Sequence, residues 1–151
     1  MTAIPSGAET VLVLWKASRA LEARALASIA ESGLGTTDFG ILEALLHKGP
    51  LPVNVLGRKL LLTSGSITSA VDRLVRRGLV VRRADATDRR VRLVELTAAG
   101  RRVITPAFAR HAADLDDAVA VLGREERRTL VALLRKLGLD AAHASDNQER
   151  R

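Results

Sequence analysis

Residues 63–80 read TSGSITSAVDRLVRRGLV, and this stretch decides the fold. Its apolar residues recur at the helical spacing i, i+3, i+4 and i+7, which predicts an amphipathic helix with one buried stripe. That stripe consists of Ile67, Ala70, Val71 and Leu74. Thr63 or Ser64 is the predicted N-cap, and Gly78 is the predicted residue that follows the end of the helix.

The neighbouring segments extend this helix into a larger motif. A shorter helix is predicted over residues 52–60, so the turn at residues 61–63 joins two helices in a helix-turn-helix. On the other side, the β-rich runs at residues 79–83 and 90–96 flank a polar hairpin tip. This hairpin has the length and the basic rim of a wing.

Four more helices are predicted around this core. The first covers residues 10–32, and the second covers residues 36–48 with Thr36 or Thr37 as its N-cap. The third covers residues 97–122, with Thr97 as its N-cap and a bend that Pro106 causes near residues 102–103. Gly138 ends the last helix. The first and last helices carry apolar stripes that the core alone is too small to cover, and a second copy of the chain is the simplest cover. The predicted fold is therefore mainly α with a small β-hairpin wing (α+β), divided into an N-terminal dimerisation helix (1–35), a winged helix-turn-helix core (36–96), C-terminal dimerisation helices (97–139) and a flexible tail (140–151).

The composition excludes several classes of function. The 151 residues include no cysteine, which excludes disulfide frameworks, thiolate zinc sites and cysteine nucleophiles. Trp15, Phe39 and Phe108 are the only aromatic residues, too few for a protein that stacks single-stranded bases on rings. No signal peptide and no apolar run of about 18 residues is present, so we expect a cytoplasmic protein without a membrane partner.

The positive charge is confined to one part of the chain. Residues 58–102 contain 12 basic and four acidic residues, whereas the rest of the chain contains 12 basic and 13 acidic ones. A solvated basic face is the ordinary explanation of such a segment. Its complete segregation favours a module that binds a polyanion, because neutralised phosphates release counterions and so supply affinity.

The outward face of the helix at residues 64–77 is suited to a major groove. It carries Gly65, Ser69, Asp72 and Arg76, flanked by Ser66, Thr68 and Arg73. Short hydroxyl side chains allow a close approach to base edges and phosphates, and arginine can bind guanine with two hydrogen bonds. Taken alone, the helix is better explained as an ordinary amphipathic helix in water.

The predicted hairpin tip adds a second basic element. Arg89 and Arg90 can enter a minor groove, and Asp88 can hold one of their guanidinium groups. The alternative is a surface ion pair that contributes about 0–1 kcal/mol.

Three motifs together resemble the multiple-antibiotic-resistance regulator (MarR) family: residues 63–80, DATDRR at 85–90 and LTAAG at 96–100. The resemblance covers residues 10–139. It implies a winged helix-turn-helix homodimer that binds palindromic double-stranded DNA, usually as a repressor released by a small ligand. It also implies that residues 64–77 form the recognition helix and that Asp88 and Arg90 form the wing motif.

One position departs from the family pattern and one segment refines it. Many relatives have arginine where this chain has Ser69, so base reading is assigned to Ser66, Thr68 and Arg73. The complete set of predicted DNA contacts is Ser64, Ser66, Thr68, Ser69, Arg73, Arg76, Arg89 and Arg90.

The segment TDFGILEALLHKGP at 37–50 together with GSIT at 65–68 is similar to the quinone-responsive, methylhydroquinone-resistance branch, which implies a phenolic or quinone-like effector.

The resemblance places an effector cleft between the dimerisation helices and the winged core. The residues assigned to it are Trp15, Arg19, Phe39, His47 and Phe108, although core or interface packing is the favoured role for each. No phosphate-binding loop, dinucleotide fingerprint or His-Glu-x-x-His motif is present, so no enzyme activity, cofactor or metal is predicted.

Two other hypotheses stay open at this point. The same basic segment would serve a nonspecific architectural nucleic-acid-binding protein, which would show no preference for a palindrome. It would also serve a helical module that binds an acidic protein, which would show no DNA binding even at low salt.

Overall fold

The computed structural model describes residues 4–88 and 90–149, with side chains described up to residue 138. Over this range the elements are α1 (Gly7–Glu31), α2 (Thr36–Lys48), β1 (Leu51–Pro52), α3 (Val53–Lys59), α4 (Ser64–Arg76), β2 (Val80–Ala84), β3 (Arg92–Leu96), α5 (Ala98–Ala118) and α6 (Arg124–Glu149). The chain up to Leu115 forms one compact unit, and the chain from Asp116 onward forms another. None of the helices in the described range combines the length and apolarity needed to span a membrane.

The predicted wing is present as an antiparallel hairpin. Val80 at the start of β2 pairs with Leu96 at the end of β3, and Ala84 pairs with Arg92 next to the tip. The strands of the described sheet lie in the order β1-β3-β2. The described part of the chain is mainly helical with one small antiparallel sheet, which confirms the predicted fold class.

The core forms where the apolar stripe of α4 meets the other elements of the first unit. All four predicted stripe residues are at most 2% exposed. The other large side chains that are less than 2% exposed are Phe39, Ile41, Leu42 and Leu45 from α2, Leu56 from α3, Val80 and Val94 from the hairpin, and Ile104 from α5. Burial of these side chains supplies most of the free energy that holds α4 in place.

Two predicted caps are confirmed by their hydrogen bonds. Thr63 Oγ1 accepts a hydrogen bond from the Ser66 backbone N–H at 3.2 Å, which fixes the start of α4. Thr97 Oγ1 accepts one from the Gly100 N–H at 2.9 Å and so fixes the start of α5. Between them, Gly78 has a φ of 69° as the chain leaves α4, a conformation that glycine adopts without steric cost.

The entry into α3 differs from the prediction. Leu51 and Pro52 form the short strand β1, and Pro52 is the N-cap of α3 rather than its first helical residue. The sequence favoured a helix start there because the fixed φ of proline suits the first turn. The same φ is compatible with the extended backbone that Pro52 adopts (φ −63°, ψ 147°).

Other helix ends also differ. Helix α1 begins at Gly7 with Ser6 as its N-cap. The N-cap of α2 is Gly35, so Thr36 and Thr37 lie inside the first turn instead of capping it. Helix α5 contains Pro106 but ends at Ala118, one turn earlier than predicted, and α6 continues past Gly138 to Glu149. An exposed glycine lowers helix propensity without breaking the helix, so Gly138 does not end α6.

Candidate nucleic-acid interface

Helix α4 presents a row of small polar side chains to solvent. Ser64, Gly65, Ser66, Thr68 and Ser69 are all exposed. The capping Thr63 also donates a hydrogen bond from Oγ1 to Ser66 Oγ at 2.8 Å, which orients the Ser66 hydroxyl. The N-terminal half of α4 therefore offers several exposed short hydroxyl side chains, with that of Ser66 oriented by the cap, and such side chains can approach base edges closely.

The arginine at position 73 has a partner that the sequence did not reveal. Arg73 Nε lies 3.2 Å from both carboxylate oxygens of Asp38, and its Nη2 lies 2.5 Å from Asp38 Oδ1. Asp38 is only 4% exposed. The hydrogen bond with Asp38, and then the charge of Asp38, raise the pKa of Arg73 above its ordinary value. We predicted from the sequence that this guanidinium group is free to contact DNA. In the structure it is bound to Asp38 of α2.

A second arginine binds the same carboxylate. Arg77 Nη1 donates to Asp38 Oδ2 at 3.1 Å. The sequence placed Asp38 in the first turn of α2 only as a favourable partner of the helix dipole. An isolated buried carboxylate is costly, and its two arginine partners compensate for that cost.

The tip of the wing is ordered by its own side chains. Asp85 accepts hydrogen bonds from the Thr87 hydroxyl, from the Thr87 N–H at 2.7 Å and from the Asp88 N–H at 3.0 Å. These bonds, from the Thr87 side chain first and then the backbone of Asp88 and Thr87, lower the pKa of Asp85 below its ordinary value. The backbone then closes the turn, because the Asp85 N–H donates to the Val91 carbonyl oxygen at 3.0 Å.

Asp88 contacts the backbone of the wing. Its carboxylate accepts a hydrogen bond from the Arg90 N–H at 2.9 Å, whereas the sequence assigned it to a guanidinium group. Arg90 is exposed at the tip, and Arg89 lies outside the described residues. The contact of Asp88 with Arg90 is therefore made through the main chain of the wing.

Ion pairs neutralise part of the basic segment. Arg82 Nη1 lies 2.5 Å from Asp72 Oδ1 and so connects the wing to α4, and Arg83 Nε lies 3.0 Å from Glu95 Oε2 across the hairpin. Within the described side chains, seven basic residues of this segment have no acidic partner at ion-pair distance. They are Arg58, Lys59, Arg76, Arg90, Arg92, Arg101 and Arg102. These charges are available to an anionic partner.

The residues assigned to an effector cleft are only partly brought together. The rings of His47 and Phe108 meet edge to face, with centroids 4.4 Å apart. Phe39 is 1% exposed in the core, where its ring contacts His111. Trp15 is 66% exposed on α1, and Arg19 is exposed on the same helix. His47 is the one residue of the set that lines the depression of about 280 Å³ between α2 and α3.

A buried polar cluster joins α1 to α5, and sequence analysis did not find it. Ser28 Oγ donates to Asp114 Oδ2 at 2.7 Å and lies 3.1 Å from His111 Nδ1. Ser28 and His111 are each 7% exposed. Asp114 contacts the serine rather than the imidazole, so the cluster does not have the order of a hydrolase triad, in which the carboxylate orients the histidine. The spacing of positions 111 and 114, three residues apart on one helix, is the only sequence signal for it.

Comparisons with known proteins agree with this geometry. A MarR family model matches residues 32–91. The HTH-type transcriptional regulator MhqR of Bacillus subtilis (strain 168) is 39% identical over 130 residues, which are 86% of this chain and 90% of that protein. A probable transcriptional regulator from Pseudomonas aeruginosa has a TM-score of 0.68 at 35% identity, over 83% of this chain and 94% of that one. A MarR family protein from Bacillus stearothermophilus has a TM-score of 0.73 at 28% identity, over 89% and 94%.

Proposed function

The chain belongs to the MarR family of DNA-binding transcriptional regulators, and we propose that it acts as a homodimeric repressor of a palindromic operator, released by a small ligand. The exposed hydroxyl-bearing N-terminal half of α4, followed directly by a basic wing, is the observation that carries the proposal. A helix of this kind fits a major groove, and an arginine at the tip of a narrow hairpin fits the adjacent minor groove.

Each proposed contact has a distinct role. Ser66 and Thr68 read base edges, Ser64 and Ser69 bind phosphate or base edges, and Arg76 binds phosphate. In the wing, Arg89 and Arg90 enter the minor groove, and Asp88 orients the turn that carries them. Arg73 keeps a proposed place at the interface because its side chain is 46% exposed, although its guanidinium group is also bound to Asp38.

The proposed dimer would cover the apolar surfaces of two helices. On α1, Leu12, Val13 and Trp15 are 50%, 60% and 66% exposed. On α6, Leu130, Leu133, Leu134 and Leu137 are 41%, 60%, 40% and 46% exposed. Water-exposed apolar surface of this extent is typical of an interface. A two-fold axis would place two copies of α4 in successive major grooves, about 34 Å apart.

The proposed effector is a phenolic or quinone-like compound. Its support is the similarity of residues 37–50 and 65–68 to the methylhydroquinone-resistance branch. A compound that binds only the folded protein must raise its melting temperature, so a thermal-shift screen of phenols and quinones tests this part. A hit must also reduce DNA binding, and a screen without one would contradict the choice of ligand class.

The DNA-binding part is tested by selecting a palindrome from a random library and comparing it with a random-sequence duplex of equal length. We expect a clear preference for the palindrome and a steep fall of affinity with salt. Arg90→Ala, which removes a groove contact, should weaken binding by about 1–3 kcal/mol, and Arg76→Ala, which removes a phosphate contact, should weaken binding to every sequence and reduce the salt slope by about 1. Arg128→Ala, whose arginine lies outside the basic segment and pairs with Glu125, is the matched control.

Three results would contradict the proposal. Equal affinity for both duplexes would favour the architectural alternative. No DNA binding at low salt would favour the acidic-protein alternative. Unchanged binding by both arginine variants would mean that the contacts are wrongly assigned.

A further inference from the structure

One carboxylate holds two arginines of the recognition helix. Asp38, in the first turn of α2, is only 4% exposed, and it binds Arg73 in the last turn of α4 and Arg77 at its C-cap. The two arginines are four residues apart, so they project from the same face of α4. Asp38 therefore fixes the C-terminal end of α4 against α2 through a charged contact, in addition to the apolar core.

The contact with Asp38 also determines the positions of the Arg73 and Arg77 guanidinium groups. The Arg73 and Arg77 side chains are 46% and 44% exposed, so each is at the surface although its guanidinium group is bound on one side. A guanidinium group that moved toward a phosphate would leave the Asp38 charge buried with one partner fewer, which is costly. Binding to arbitrary DNA depends on cations that can follow the phosphates wherever they lie. Asp38 opposes that movement.

We propose that Asp38 is a specificity-determining positioning residue of the regulator. It holds α4 in the orientation that base reading requires, and it restrains Arg73 and Arg77 from binding phosphates of unrelated sequences. Specificity is the difference between two affinities, and Asp38 increases that difference by strengthening operator binding and limiting nonspecific binding. This inference rests on the proposed function, because it presupposes an operator.

The test compares Asp38→Asn with the wild type on the selected palindrome and on the random-sequence duplex. Asparagine has nearly the same shape, but it removes the charge that holds the arginines. We expect at least a tenfold loss of the ratio of the two affinities. Affinity for the palindrome falls, while affinity for the random duplex is unchanged or rises. The salt slope on the random duplex should steepen by about 0.9 for each phosphate that a released guanidinium group contacts.

Glu43→Gln is the matched control. Glu43 lies on the same helix, and it has no basic partner at ion-pair distance within the described side chains. The substitution changes the net charge by the same amount, so it reports any general increase in attraction to DNA. We expect it to leave the affinity ratio unchanged, and an equal loss of the ratio in both variants would overturn the inference.

The other outcomes are also decisive. A residue that only supports the fold would lower both affinities by the same factor when replaced, so a parallel loss in Asp38→Asn overturns the inference. If that variant is unfolded, Asp38→Glu keeps the charge but displaces the two guanidinium groups, and a partial loss of the ratio is then expected, whereas an unchanged ratio overturns the inference. A wild type without any preference for the palindrome overturns the proposed function itself, and this inference with it.

Discussion

Gly100, in the first turn of α5, lies directly against the backbone of Leu79, at the start of the wing. A Cβ atom on Gly100 would lie 2.9 Å from the Leu79 carbonyl carbon and closer still to its oxygen. That oxygen is fixed, because it accepts a hydrogen bond from the Thr97 N–H at 3.1 Å. The Thr97 hydroxyl donates to the Gly78 carbonyl oxygen at 2.7 Å. The start of α5 is therefore joined to the end of α4 through backbone contacts that leave no room for a side chain.

Gly100→Ala should destabilise the protein because the added methyl group forces the backbone of Leu79 or of α5 to move. Overpacking of this kind costs about 1–3 kcal/mol, which urea denaturation measures as a lower midpoint at unchanged slope. Gly65→Ala is the control, since a Cβ there has no neighbour within 4 Å, and its midpoint should be unchanged or slightly higher. Equal midpoints for Gly100→Ala and the wild type would show that the backbone near Leu79 can move to admit the methyl group without loss of stability.

The order of the wing tip should depend on Asp85. Asp85→Ala removes the acceptor of three hydrogen bonds, so we expect faster amide hydrogen exchange at Thr87 and Asp88 and weaker operator binding. Asp85→Asn keeps an acceptor oxygen and removes a negative charge from the basic segment, so it should bind DNA as well as the wild type or better. Weaker binding by both variants would indicate a role for the charge rather than for the turn.

Asp85 also gives the tip a pH dependence with a defined sign. Its pKa is lower in the folded chain than its ordinary value of 3.8, so the hydrogen-bonded turn is favoured above that pH. The stabilisation of the turn by the Asp85 carboxylate is lost as the pH falls through the lowered pKa of Asp85. The NMR chemical shift of the Thr87 amide, which donates to Asp85, should therefore be constant near neutral pH and change only in acid, and Asp85→Asn should remove that change.

The elements that the sequence predicted are those set by local rules. The four-residue stripe of α4, the caps at Thr63 and Thr97 and the wing hairpin each depend on residues within a few positions of one another. Their signals lie in spacing and residue type, and the wider packing agrees with them. The exposed hydroxyl groups of α4 were predicted for the same reason, since a buried stripe on one face defines the opposite face.

The features that the sequence did not predict depend on distant partners or on competing local preferences. Asp38 lies 35 residues from Arg73, and Ser28 lies 83 residues from His111. No periodicity within one helix indicates such a pair. Strand β1 has only two residues, Leu51 and Pro52, and it forms because β3 offers it a free edge, which the local sequence does not encode.

The buried cluster at Ser28 should contribute to stability. Ser28→Ala removes the shared partner of Asp114 and His111, and the buried His111 ring then lacks its hydrogen bond, which costs about 1–3 kcal/mol. Urea denaturation should show this loss, while Ser69→Ala, which changes an exposed serine of α4, should leave the midpoint unchanged. If Ser28→Ala were as stable as the wild type, water would satisfy the two groups equally well.

The apolar face of α6 should be required for the proposed dimer to form. Leu133 is 60% exposed, and it lies between other partly exposed leucines at helical spacing, so its side chain needs a partner to leave water. Leu133→Glu should place a charge in that interface and shift the protein from dimer to monomer in sedimentation equilibrium. Operator affinity should fall as well, because a monomer contacts only one half-site. Val121→Glu is the control, since Val121 is 88% exposed in the segment before α6 and should tolerate the charge without dissociation. A Leu133→Glu protein that stays dimeric at micromolar concentration would exclude this face of α6 as the contact.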